Sequence, residues 1–252
     1  MDSLTRNWNS YQLKVNAQQQ TVNLEFSDVE TLAFYTTLQT GIFGGKSSIF
    51  SKQIFFEQFP QWAQSQWHHH EMLVGQYIQD NSKILDIGSG LGMVDLIQSK
   101  LNPSLKFYLV DKEVQNFSHD VYYSNDYPFY NNWGPTKDCI NTSGLNPDNF
   151  SFLAPEDSWP EVDHIISYFS WCFHYPKSVY WDRVLNSLKM NGTLTLDVRL
   201  VEGDNTIDEI SEAFKFTAIK DPIPNAIPTW IDNYPRVDSK IFGYRCHWKR
   251  CG

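Results

Sequence analysis

Residues 83–100 read KILDIGSGLGMVDLIQSK. Ile84, Leu85 and Ile87 form an apolar run with Asp86 set inside it. Gly88, Gly90 and Gly92 follow at alternate positions, and Met93, Val94, Leu96 and Ile97 then repeat at helical spacing. The pattern predicts a buried strand, a glycine turn and the start of a helix. Glycines at such a turn admit positive φ and let a ligand lie against the main chain. The helix start behind them offers unbonded N–H groups.

Two ligand classes use a turn of this kind, dinucleotides and S-adenosylmethionine. The dinucleotide pattern is G-x-G-x-x-G. Here the third glycine, Gly92, comes one residue early, and Met93 stands where a small residue is wanted. Asp86 would repel a pyrophosphate, whereas it suits a ligand with a cationic amino-acid end. The plain alternative is an ordinary glycine-rich turn. A second apolar strand, 107–111, ends in Asp111, followed by Lys112. Asp111 lies roughly twenty residues past the glycines, the spacing at which a carboxylate meets ribose hydroxyls. A strand-end aspartate capping the next helix is the alternative there.

With its acidic residue followed by G-x-G-x-G at Asp86, Gly88, Gly90 and Gly92, the sequence resembles the class I (Rossmann-like) S-adenosylmethionine-dependent methyltransferases. The resemblance covers about 83–248. It implies an α/β fold, a seven-stranded, mostly parallel, doubly wound sheet with helices on both faces. It also implies that residues 1–80 form an N-terminal helical cap and that 81–252 form the S-adenosylmethionine-binding domain. Asp111 would accept the ribose hydroxyls, with Lys112 beside it. Glu156 or Asp157, after the strand 149–153, would contact the adenine amino group, and Pro155 leaves that choice open. The segment LKMNGTLTLDVR, 188–199, is similar to the family's helix–glycine–strand passage. A closing hairpin with an antiparallel last strand is the family's ending. Family members that methylate amino groups of adenine or glutamine carry [DNS]-P-P-[YFW] after the fourth strand. This chain has Ser167-Tyr168-Phe169-Ser170 there, which counts against that branch.

Composition narrows the function classes. The 252 residues carry a net charge of −9, which argues against gripping nucleic acid through its phosphates or binding an anionic membrane. Hydrophobic residues make up 41%, with 9 Trp, enough for a core without staples. Cys139, Cys172, Cys246 and Cys251 show no C-x-x-C spacing and read as reduced thiols of a cytoplasmic protein. No signal pattern or membrane-spanning run is visible. His68, His69 and His70 point in three directions around a helix and cannot share one metal, so no metal site is expected.

Around the glycine turn, a strand is expected at 11–15 and a helix from Ser27, which can cap it, with a longer helix at 62–78. The segment 121–133 (VYYSNDYPFYNNW) has neither helical nor strand period and reads as an aromatic loop, suited to stacking on a ligand or to packing on the cap. Helices are expected at 135–140, 179–190 and 207–214, and further strands at 162–167, 193–198, 216–220 and 241–248. Parallel α/β sheets bind ligands outside the carboxyl ends of their strands. That places Ser167 near the cofactor, and Tyr168, Trp171, His174 and Tyr175 on the acceptor side. His174 titrates nearest neutral pH and is the candidate general base, unless it only packs or caps the next helix. Arg199 could hold an anionic substrate group or pair with Asp197 or a neighbour. The expected function is methyl transfer from S-adenosylmethionine to a small-molecule acceptor, a hydroxyl of a sugar or similar metabolite. A nucleic-acid methyltransferase and a cofactor-binding, non-catalytic scaffold are the rivals. The sequence selects neither an acceptor nor an oligomeric state.

Overall fold

The computed structural model describes residues 10–15, 20–27, 67–68, 70–113, 132–199, 203–224 and 241–251. The chain divides into two compact units. One comprises Met1–Glu71, Gly90–Pro103 and Lys112–Asn149, and the other Met72–Ser89, Ser104–Asp111 and Phe150–Gly252.

The second unit holds the sheet. Its strands are β3 (Lys83–Ile87), β4 (Lys106–Val110), β5 (Phe150–Leu153), β6 (Val162–Ser167), β7 (Leu188–Arg199), β8 (Ile219–Pro224) and β9 (Ile241–Lys249), counting from β1 and β2 of the first unit. Their spatial order is β5-β4-β3-β6-β7-β9-β8. β3 to β7 pair in parallel, and β9 runs antiparallel between β7 and β8. The expected seven-stranded, mostly parallel sheet with an antiparallel last strand is therefore the one observed. Strand order reverses at β3, so the β3/β6 boundary is the switch point where such sheets open a crevice.

The two sheet faces differ in chemistry. Leu85, Ile87, Val110, Ile165, Leu194, Leu196, Val198, Cys246 and Trp248 join Val184, Ile210 and Phe214 in one apolar core. Val184 lies on the helix Trp181–Ser187, and Ile210 and Phe214 on the helix Thr206–Phe214. On the alternate positions of β7 and β9, and at His164 of β6, the buried side chains are polar. His164 Nδ1 shares a hydrogen bond with Thr193 Oγ1, and Thr195 Oγ1 one with His247 Nδ1, both at 2.8 Å. Tyr77 stacks on His247 with centroids 4.4 Å apart. Asp197 and Arg245 complete this row of polar pairs.

The connection from β5 to β6 carries no helix, and length explains why. It must cross three strand spacings, about 14 Å, and return along the sheet, a diagonal of about 20 Å. The nine steps from Leu153 to Val162 reach about 30 Å extended but only about 14 Å as a helix. The strap turns at Pro155–Asp157 and has no regular structure from there to β6. Arg183 fastens it, donating to the carbonyls of Pro155, Glu156 (3.2 Å) and Asp157 (3.0 Å), with its guanidinium 5.3 Å from the Trp159 ring centre.

The first unit contains the hairpin β1 (Ser10–Val15) and β2 (Gln20–Glu25), and helices α1 (Met93–Leu101) and α2 (Gly134–Thr142). Val22, Leu24 and Phe26 are buried, one face of β2 and its extension. The Glu25 N–H donates to Ser143 Oγ at 2.8 Å, and the Ser27 N–H to Asp138 Oδ2 at 2.5 Å.

Several expectations need correcting. The strand expected at 11–15 is β1, and it pairs with β2, which was not expected. The helix expected at 62–78 is seen at 67–68 and 70–73, and a 3-10 turn at Gly75–Tyr77 follows. The helix expected at 179–190 ends at Ser187, and the strand starts at Leu188, not 193. Leu188 pairs with Val162, and Arg250 donates to the carbonyls of Leu185 (2.6 Å) and Leu188 at the helix end. The sixth strand of the sheet lies at Ile219–Pro224 and tolerates Pro222 and Pro224 because it is an edge strand. The helix expected from Ser27 and most of the aromatic loop, 121–131, lie outside the described residues.

Burial sets the thiol chemistry. It pushes Cys139 and Cys246 up to about 12 and raises Cys172 further. Those three are buried and Cys251 is partly exposed. Native protein treated with an aromatic disulfide reagent at pH 8 is expected to label quickly at Cys251 alone, mapped by peptide mass spectrometry. Fast labelling at Cys139 would contradict the burial described.

Candidate active site

The carboxyl ends of β3, β4 and β6 meet at the switch point, and hydrogen bonds fix their relative height. The Val110 carbonyl accepts the Gly88 N–H at 2.7 Å and the Ser89 N–H at 3.3 Å. That seats the start of the glycine turn on the end of β4, beside Asp111, whose own N–H donates to Leu153 O at 3.1 Å. Asp86 sits two residues before Gly88 and is only 5% exposed. Asp86, Gly88 and Asp111 are thus brought to one edge of the sheet.

All three glycines of the turn are left-handed, with φ of +69° at Gly88, +54° at Gly90 and +60° at Gly92. This is the conformation the G-x-G-x-G spacing predicts. Gly88 has a second reason to lack a side chain: an added Cβ would land in the Ser170 side chain. Gly90, Gly92 and Lys112 belong to the first unit, where Gly92 is the N-cap of α1.

The loop after β6 is tied down at every turn. The Ser167 hydroxyl donates to Ile87 O (2.7 Å) and accepts the Trp171 N–H (3.0 Å), so it is engaged within the protein. Trp171 is fully buried and donates its indole N–H to Lys177 O at 3.1 Å. It is a core residue and presents no surface to an acceptor, unlike the expectation from sequence. Tyr168 is half-buried, and the His174 backbone N–H donates to Ser170 O at 2.8 Å. Partial burial and the Arg199 guanidinium both hold the His174 imidazole below its ordinary value, so it is neutral at pH 7.

Beyond β5, the Asp157 carboxylate accepts the Ala154 N–H at 2.8 Å and closes the turn. Glu156 lies in the same turn, held by Arg183. Tyr180 faces this acidic corner: burial, then Asp111, then Glu156 raise its phenol above the ordinary value. Tyr180, Trp159 and Arg183 are site neighbours that sequence reading missed. Arg199 lines a cavity of about 180 Å3 with Asp204, Thr206, Lys220 and Tyr244. Its expected partner, Asp197, is paired instead with Arg245.

No protein-family description matches the chain, and no curated protein matches it. Among solved structures it is similar to the precorrin-6y C5,15-methyltransferase of Geobacter metallireducens, at 17% identity over 68% of this chain and 81% of that one, TM-score 0.46. It is also similar to an rRNA methylase of Streptococcus thermophilus, at 14% identity over 73% of this chain and 96% of that one, TM-score 0.48. Likeness at this level carries no statement about activity. No helix among the described residues is long and apolar enough to cross a membrane.

Proposed function

We propose that this protein transfers a methyl group from S-adenosylmethionine to a small-molecule acceptor, a hydroxyl of a sugar or similar metabolite. The observation that supports it most is the Val110 carbonyl holding both Gly88 and Ser89, which puts a left-handed glycine beside two carboxylates at the switch point. The residues suit the cofactor. Ser89 Oγ is buried and finds no hydrogen-bond partner among the described residues, a donor awaiting an acceptor. Asp86 offers negative charge to a cationic amino-acid end, and Asp111 can accept a pair of vicinal hydroxyls. Glu156 is the better placed of the two acids after β5, since the Asp157 carboxylate is spent on Ala154.

When bound, S-adenosylmethionine supplies a sulfonium-activated methyl group. The protein's part is alignment and exclusion of water. Tyr168 forms a wall beside the switch point, and neutral His174 can accept the proton of an acceptor hydroxyl. The net charge of −9 weighs against nucleic acid as acceptor.

Calorimetry tests the cofactor half. Adenosylmethionine is expected to bind, and Asp111→Ala to weaken it about tenfold or more, because two hydrogen bonds to a charged acceptor are lost. Binding of NAD without adenosylmethionine would replace the reading by a dehydrogenase. Cofactor binding without turnover in any extract would favour the non-catalytic scaffold.

A further inference from the structure

We propose that the buried Asp197–Arg245 pair is a positioning device for Tyr168, holding its ring at the carboxyl end of β6 for the acceptor. This rests on the methyl-transfer reading above. Asp197 is 0% exposed and Arg245 3%. They stand opposite each other in the β7–β9 register, and Asp221 of β8 stands opposite Arg245 on its other side. The guanidinium donates two parallel hydrogen bonds, Nε to Oδ1 at 2.7 Å and Nη2 to Oδ2 at 2.8 Å.

Stability alone is a poor reason for such a pair. Taking two charges out of water costs several kcal/mol per ion, and apolar replacements of similar volume are often as stable or more so. What an apolar pair could not supply is directed toward one loop. The Phe169 N–H donates to Asp197 Oδ2 at 3.1 Å. The Arg245 guanidinium carbon lies over the Tyr168 ring, 3.8 Å from its centre, and 6.0 Å from that of Phe169. A planar cation both accepts a ring face and keeps its in-plane hydrogen bonds, which a lysine does not.

The loop needs holding. Phe169 at φ +50° and Cys172 at φ +65° are left-handed without being glycine. Such a conformation is costly for a residue with a side chain and persists only where the surroundings impose it. Strained backbone of this kind, at the switch point and against Gly88, is spent on fixing side-chain direction. Tyr168 is half-buried and is backed on one side by the pair.

The test uses the full chain, a cell extract and isotopically labelled adenosylmethionine, with mass spectrometry counting labelled product and calorimetry giving cofactor affinity. Three changes are compared: Arg245→Lys, Tyr168→Leu, and Asp197→Leu with Arg245→Met. Each is expected to lower product formation about ten- to a hundredfold, the loss that small misplacements cause. Cofactor affinity is expected to stay within about twofold, and the apolar pair to melt no lower than wild type. Adding Tyr168→Leu to Arg245→Lys should cost little more than either alone, since both remove one contact. Wild-type turnover in the apolar pair, or full additivity of the two single changes, overturns the proposal. If the apolar pair does not fold, Arg245→Lys with unchanged melting decides alone. A wild-type protein that labels nothing overturns the methyl-transfer reading itself, and the proposal with it.

Discussion

Between pH 7 and pH 4.5 the protein is expected to lose several kcal/mol of stability, most of it through two histidines. Burial lowers His164 from 6.5 to about 4, with Asp163 opposing and Lys189 assisting. Burial also lowers His247 from 6.5 to about 4, with His164 assisting. Below pH 6.5 the unfolded chain takes up protons at both rings, while the folded chain stays neutral there until about pH 4. The unfolded state therefore binds more protons across that window. The stability from these groups is complete above pH 6.5 and falls as the pH drops through it. Between pH 7 and 4.5 that corresponds to roughly 2 kcal/mol for each histidine. Total stability of about 5–15 kcal/mol makes this a large share. Melting temperatures measured from pH 7.5 to 4.5 check it. His247→Phe keeps a ring to stack on Tyr77, removes one titration, and should about halve the slope. A melting temperature flat from pH 7 to 5 would show that the two rings are already solvated.

The strand, turn and helix at 83–101 are readable in the sequence because every determinant is local. The apolar run, the alternate glycines and the helical spacing all lie within twenty residues. The polar face of the sheet is not readable that way. Along β9, Tyr244, Cys246 and Trp248 alternate with Arg245 and His247, the ordinary pattern of a strand with one face in water. Both faces are buried, and the polar one is partnered by Thr195 and Asp197 of β7, which lie 52 and 48 residues away. Only the pairing of β7 with β9 reveals those partners.

The same holds at the helix before β7. Leu188 to Gly192 gives no stop signal before Asn191, so periodicity runs the helix on to 190. Arg250 and the pairing with Val162 end it at Ser187, and both act from a distance. In the site, Ser167 and Trp171 were placed by their distance from the end of a strand. Sequence distance cannot say whether a side chain faces a crevice or the core, and here the hydroxyl bonds Ile87 and the indole is buried. Tyr180, Trp159 and Arg183 carry no motif at all. They come to the site because the connection from β5 to β6 is too short for a helix, so the helix after β6 reaches over to fasten it.

Gly88→Ala is expected to destabilise the protein strongly, for two separable reasons. At φ +69° an alanine is strained by about 1–2 kcal/mol. Its Cβ would also occupy the place of the Ser170 Oγ and Cβ, an overpacking of about 1–3 kcal/mol. Ser170 cannot retreat freely, because its carbonyl accepts the N–H groups of Phe173 (3.1 Å) and His174 (2.8 Å). Together the two effects lower the melting temperature by roughly 6–15 °C in a chain of this length. Ser170→Gly removes the obstacle. The double variant should recover about half of the loss and retain the backbone strain, a coupling that the single changes would not show by addition. A double variant no more stable than Gly88→Ala would mean that Ser170 is not what excludes a side chain there. Adenosylmethionine affinity measured on the refolded double variant separates the glycine's two tasks. Full affinity would make Gly88 a packing residue only. Lost affinity in a well-folded protein would show that a ligand, as well as Ser170, needs the bare backbone.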